Sequence, residues 1–177
     1  RFEPILHDAL RALSADALCW GQEWQAAEQD GAGVTSRVAA GSETYEVRSR
    51  WLLAADGAGS RVRKWRGIEP IGPSRIQSFV MIHFKANLRG LVGANPGALY
   101  WVCQPDCIGT FVAHDIDREW VFMVAWDPER EPAESFDSAR CEALVRRAIA
   151  RDDVPLEIAT VATWAMTSQV AERYRDG

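Results

Sequence analysis

Residues 50–63, Arg-Trp-Leu-Leu-Ala-Ala-Asp-Gly-Ala-Gly-Ser-Arg-Val-Arg, constrain the fold more than any other stretch of the chain. The apolar run 51–55 is too short for an independent helix and is bounded by turn residues. It therefore predicts a short strand buried on both faces. Asp56-Gly57 predicts a tight turn, and Ser60 predicts the start of a short helix reaching residue 66. A carboxylate and two glycines thus stand where a strand ends, and open α/β sheets bind ligands just there.

The flanking segments can be placed around this junction. Residues 2–13 carry apolar side chains at 2, 5, 6, 9, 10 and 13, the period of an amphipathic helix. Residues 19–27, 34–39 and 44–49 read as short strands joined by Asp30-Gly31 and Gly41-Ser42, an antiparallel meander. Gly67, Pro70, Gly72 and Pro73 mark a linker and a subdomain boundary. Strands at 76–87, 98–103, 108–114 and 120–125 form a second antiparallel sheet. Asp137 or Ser138 caps a helix whose Cys141, Leu144, Val145, Ala148 and Ile149 share one face. Residues 156–164 return as a strand, and 165–174 fit either helix or loop. The fold class is α+β. Residues 1–75 form one part, a sheet domain with one helix (about 138–150) occupies 76–164, and 165–177 return to the first part.

Composition narrows the classes of function. The 177 residues are 47% hydrophobic and include eight tryptophans, whose burial argues for a packed core and against disorder. The net charge is −5, and basic residues cluster only at Arg61, Arg63, Lys64 and Arg66, so nucleic acid is not an expected partner. Of these, Arg61, Lys64 and Arg66 read as a solvated helix face; steering of a phosphate or carboxylate is the alternative. Cys103 and Cys107 are spaced C-x3-C without a second half-site, so no metal is expected. They read, with Cys19 and Cys141, as small buried apolar residues in a reducing compartment, the cytoplasm. No window has the length of a membrane-spanning helix, which predicts no stable membrane insertion, and no signal peptide is visible. A chain beginning at Arg1 and stopping at Gly177 reads as an excerpt of a longer protein.

Asp-Gly occurs twice, and the two occurrences differ in context. Asp30-Gly31 lies between alternating strands and reads as a hairpin turn. Asp56-Gly57 is preceded by the small pair Ala54-Ala55 and followed by Ser60-x-x-Arg63. A carboxylate there can accept hydrogen bonds from ligand hydroxyls, Gly57 permits close backbone approach, and the helix start favours an anion.

On these residues, the stretch resembles the middle signature of the class A flavoprotein monooxygenases, the para-hydroxybenzoate hydroxylase-like aromatic hydroxylases. Its pattern is one charged residue, three hydrophobic, two small, Asp-Gly, two residues, Ser, two residues, Arg. Gly59 departs from it, since a charged residue is commoner there. The opening helix and meander, and Tyr174-Arg175-Asp176-Gly177 at the end, resemble the segments flanking that signature. No Gly-x-Gly-x-x-Gly loop is present. The resemblance implies that residues 1–75 are part of a Rossmann-like FAD-binding domain. It implies that Asp56 hydrogen-bonds the ribityl chain of FAD, that Gly57 gives it room, and that Ser60 and Arg63 hold the turn near the pyrophosphate. It also implies reduction by NAD(P)H, a flavin C4a-hydroperoxide, and a small phenol-like aromatic substrate. The sheet of residues 76–164 would be the substrate domain, roofing the flavin ring.

On the strand at 76–87, one face carries Ser78, Val80, Ile82 and Phe84. The other carries Gln77, Phe79, Met81, His83 and Lys85. Which face lines a pocket is open. His83 is the catalytic candidate, able to polarise a phenol, with a structural or solvated role as its alternative; Tyr100, Trp101 and His114 are similarly placed, and sheet core is the better reading for them. Other readings remain: a flavin-dependent halogenase or reductase, or a non-enzymatic sheet module binding an apolar ligand or partner. A homo-oligomer is compatible with all of them.

Overall fold

The computed structural model describes residues 2–14 and 16–177. The chain divides into two compact units, residues 1–69 with 171–177, and residues 70–170.

The first unit opens with α1 (Phe2–Leu13) on the predicted residues, its apolar stripe exposed at Phe2, Ile5, Leu6 and Leu13. Strands β1 (Gln22–Asp30), β2 (Gly33–Ala40) and β3 (Glu43–Ser49) form an antiparallel three-stranded meander. Asp30 is a turn residue: its Oδ1 accepts from the Ala32 and Gly33 amides at 2.8 and 3.0 Å, and Arg48 clasps its carboxylate. One face of the meander carries Ala27, Val34 and Ser36, all buried, together with Trp24. The Trp24 ring meets Trp65 of the short helix α2 (Arg61–Trp65) edge-on at 5.8 Å. The terminal segment is tied to the end of α2, because Asp176 pairs with Arg66 and Arg173 donates to the Arg66 carbonyl.

The buried strand expected at 51–55 does not form. No strand covers these residues, and Trp51 and Leu53 are 67% and 92% exposed. A strand needs a hydrogen-bonded neighbour, and the meander order β1-β2-β3 contains none for them among the described residues. Apolar composition alone was not sufficient.

In the second unit, β4 (Pro70–Ile71) precedes the long β5 (Gln77–Lys85), the one-turn helix α3 (Arg89–Val92), β6 (Leu99–Gln104), β7 (Cys107–Asp115) and β8 (Glu119–Trp126). Helix α4 (Ser138–Ile149) and β9 (Glu157–Met166) follow, and β10 (Val170–Ala171) pairs with β4. The main sheet has the order β6-β7-β8-β5-β9, every neighbouring pair antiparallel. Residues 165–174, open between helix and loop in the sequence, continue β9 to Met166 and are otherwise irregular apart from β10.

Strand β5 alternates strictly. Ser78, Val80, Ile82 and Phe84 are buried, and the residues between them are half-buried. The buried face meets Phe111 and Phe122, stacked at 4.4 Å, and the Cys141–Val145–Ala148 stripe of α4. Asp137 caps α4 by accepting from the Arg140 amide at 2.8 Å. Gly109 lies against the Phe122 ring so closely that a Cβ there would fall 2.5 Å from it. The cysteine expectation is corrected in part. Cys107 and Cys141 are buried, and burial pushes both thiols up, but Cys19 and Cys103 are exposed. Cys103 sits in the outermost strand β6, on the face away from α4, where nothing covers it. Among the described residues no group of acidic, His and Cys side chains is arranged to hold a metal, and no helix is long and apolar enough to cross a membrane.

Because Phe122 fills the centre of this core, Phe122→Ala should destabilise the second unit by about 3–5 kcal/mol. Ile108→Ala on the open face should cost less than about 1 kcal/mol. Urea unfolding followed by tryptophan fluorescence measures both; equal costs would contradict the assignment of faces.

Candidate functional site

The turn after residue 55 is built from the residues singled out in the sequence. Gly57 takes a φ of +77°, a conformation that side chains rarely adopt, and its carbonyl accepts from the Ser60 amide at 3.1 Å. The turn itself falls on Ala58-Gly59, one step beyond the expected Asp56-Gly57. Ser60 is buried, and its Oγ accepts from the Arg63 amide at 3.0 Å, the N-cap bond of α2. The Arg63 guanidinium reaches back to donate to the Ala58 carbonyl at 2.9 Å. Its Nε is buried without a hydrogen-bond partner among the described residues.

Asp56 also serves this helix start. Its Oδ2 accepts from the Arg61 amide at 2.8 Å and the Val62 amide at 3.3 Å, otherwise unpaired donors of the first turn. The Ser60 hydroxyl foremost, with these amides, holds the Asp56 carboxyl below its ordinary range, against a smaller opposing effect of desolvation. This capping is not legible from spacing, because Asp56 lies four residues before the N-cap, outside the usual capping motifs. Asp56 is exposed, and among the described residues no atom beyond the chain neighbours of Gly57 lies within 4 Å of where its Cβ would be. An ionised carboxylate beside open backbone is an acceptor that fits polyol hydroxyls next to a phosphate-bearing cofactor. Asp56, Gly57, Ser60 and Arg63 are thus brought together. The other basic residues of the cluster are not: Arg61 pairs with Glu23 and Arg66 with Asp176.

In the second unit the sheet has a face away from α4. Cross-strand register sets Trp101, Thr110, Met123, Met81 and Ala162 in one row, and Leu99, Val112, Val121, His83 and Thr160 in the next. Phe79 and Trp164 stack at 5.6 Å beside them. This face is broad and mainly apolar, and Trp101 is 76% exposed. Tyr100 and Trp120 belong instead to the core side, their rings 5.7 Å apart. The core reading fails for Trp101, which stands on the uncovered face, and for His114, which is displaced by a bulge in β7 and exposed. The alternation of β5 disclosed both faces in the sequence. The Phe79–Trp164 stack required the β5–β9 register, which spacing does not encode.

A family model described as an FAD binding domain matches residues 1–177. The chain belongs to that family. An aklavinone 12-hydroxylase of Streptomyces purpurascens is 34% identical over 148 residues, covering 83% of this chain and 28% of that protein. A tetracenomycin A2 monooxygenase-dioxygenase of Streptomyces glaucescens is 30% identical over 187 residues, covering 100% of this chain and 33% of that protein. A crystal structure of aklavinone-11 hydroxylase in ternary complex with FAD and aklavinone superposes with a TM-score of 0.90. It shares 32% identity, covering 99% of this chain and 34% of that one. The chain spans about a third of the length of the curated relatives it matches. The resemblance to class A flavoprotein monooxygenases therefore holds along the whole chain.

The depressed Asp56 carboxyl is a measurable consequence of the turn. A group whose folded pKa is lowered contributes stability that is present above its unfolded value and lost as pH falls through the folded one. Carbon-13 NMR should place the Asp56 midpoint below the ordinary aspartate range. Ser60→Ala should raise it and cost about 1 kcal/mol through loss of the cap. An Asp56 that titrates like a free aspartate in both proteins would refute the bonding described.

Proposed function

We propose that the protein is an FAD-dependent monooxygenase that hydroxylates a phenolic, polycyclic aromatic substrate with NAD(P)H and O2. The observation that carries this reading is the turn that follows Asp56-Gly57, with its carboxylate held ionised, open space at Gly57 and its shape locked by Ser60 and Arg63. Electron uptake from NAD(P)H and activation of oxygen are supplied by the flavin when bound.

Each part of the chain then has a role. Asp56 accepts hydrogen bonds from the ribityl hydroxyls, Gly57 leaves room for close approach, and Ser60 and Arg63 keep both in place. Residues 1–75 and 165–177 belong to a Rossmann-like FAD-binding domain, and residues 76–164 to the substrate domain. On that domain's open sheet face, Phe79, Trp164, Met81 and Met123 offer aromatic and thioether contacts to flat rings and keep water from them. Relatives named for aklavinone and tetracenomycin support a fused-ring substrate. A cytoplasmic location, where NAD(P)H is at hand, accords with this chemistry.

The full-length protein should be yellow as purified, or after loading with FAD, and should oxidise NAD(P)H faster when a polycyclic phenol and oxygen are both present. Asp56→Ala should weaken FAD about tenfold, the loss of roughly one charge-assisted hydrogen bond, with the circular dichroism spectrum retained. A colourless protein that cannot be loaded would overturn the proposal.

A further inference from the structure

We propose that His83 accepts the hydrogen bond of the substrate's phenolic hydroxyl and so fixes its position on the open sheet face; this rests on the reading of that face as the substrate surface. Strand β5 is paired on both sides, so His83 projects from the interior of the sheet rather than from an edge. Its row runs Leu99, Val112, Val121, His83, Thr160. With strands about 4.8 Å apart, this leaves roughly 14 Å of apolar row on the β6 side of the imidazole. Val121, its immediate neighbour, is only 2% exposed although it lies on the face away from α4. The charged residues of the face lie one level further on, where Lys85 stands level with Glu119 and Glu157 and pairs with Glu157 at 2.8 Å.

Three observations single out this imidazole. It is half-buried, yet no hydrogen bond or ion pair among the described residues engages its ring. It lies at an irregularity: β9 inserts Ala159 between the partners of His83 and Phe84. Bulges bend a strand and re-aim its side chains, and this one lies directly against His83. Finally, the chemistry suits the partner. Neutral imidazole carries an acceptor nitrogen, whereas the Thr160 hydroxyl beside it is a weaker base. An apolar ring system laid along Leu99, Val112 and Val121 would bring a terminal hydroxyl to His83.

Calorimetric titration of the full-length protein with 2-naphthol and with 2-methoxynaphthalene tests this directly, because the ether keeps the rings and lacks the donor. The wild type should bind 2-naphthol about fivefold more tightly than the ether, the contribution of one hydrogen bond. His83→Phe should bring that ratio to about one while leaving the ether within about twofold, and His83→Gln, which keeps an acceptor, should retain part of the preference. If His83→Phe keeps the fivefold preference, or weakens both ligands alike, His83 does not read the hydroxyl and the inference falls while the substrate face stands. If the wild type binds neither compound, the substrate face falls as well.

Discussion

The second unit depends on the pairing of β5 along both edges, with β8 on one side and β9 on the other. A strand held this way cannot slip by one residue without turning its whole buried set outward. Val80, Ile82 and Phe84 are therefore committed to the α4 side, and Phe79, Met81 and His83 to the other. Packing energy is concentrated on one side of the sheet. The opposite side is consequently free to carry exposed aromatic and thioether groups whose identity the core does not dictate.

The first unit rests on a different kind of constraint. Its buried set is small, Ala27, Val34, Ser36 and Ser60, and only the first two are hydrophobic. Polar bonds carry much of its local order. Asp30 closes the first hairpin, Asp56 and Ser60 start α2, and Asp176 secures the end of that helix through Arg66. Bonds of this sort are short-range and specific in geometry. They shape a turn well.

These two kinds of order explain what the sequence disclosed. Helix α1, the meander and α4 were legible because amphipathic period, turn dipeptides and the Asp137 cap are local signals. The Ser60–Arg63 pair was legible because its spacing lies within one helical turn. The run 51–55 stands mostly exposed despite its apolar composition because burial on two faces requires neighbours, and composition cannot supply them. Asp56 as a second cap, the Phe79–Trp164 stack and the bulge beside His83 were hidden for a related reason. Each depends on register or on a turn's path, and these are settled only when separate segments meet.

Gly109 carries a further implication. It sits behind the sheet, pressed against the Phe122 ring and 2.7 Å, measured from its missing Cβ, from the Met123 carbonyl. A methyl group there would have to lever β7 away from β8. That displacement would be transmitted through the shared backbone to Thr110, Met123 and Val121 on the far side. The contour of the exposed face is thus governed partly by a residue that never touches it. A change on the reverse of the sheet can therefore reshape that face while leaving every side chain on it as it was.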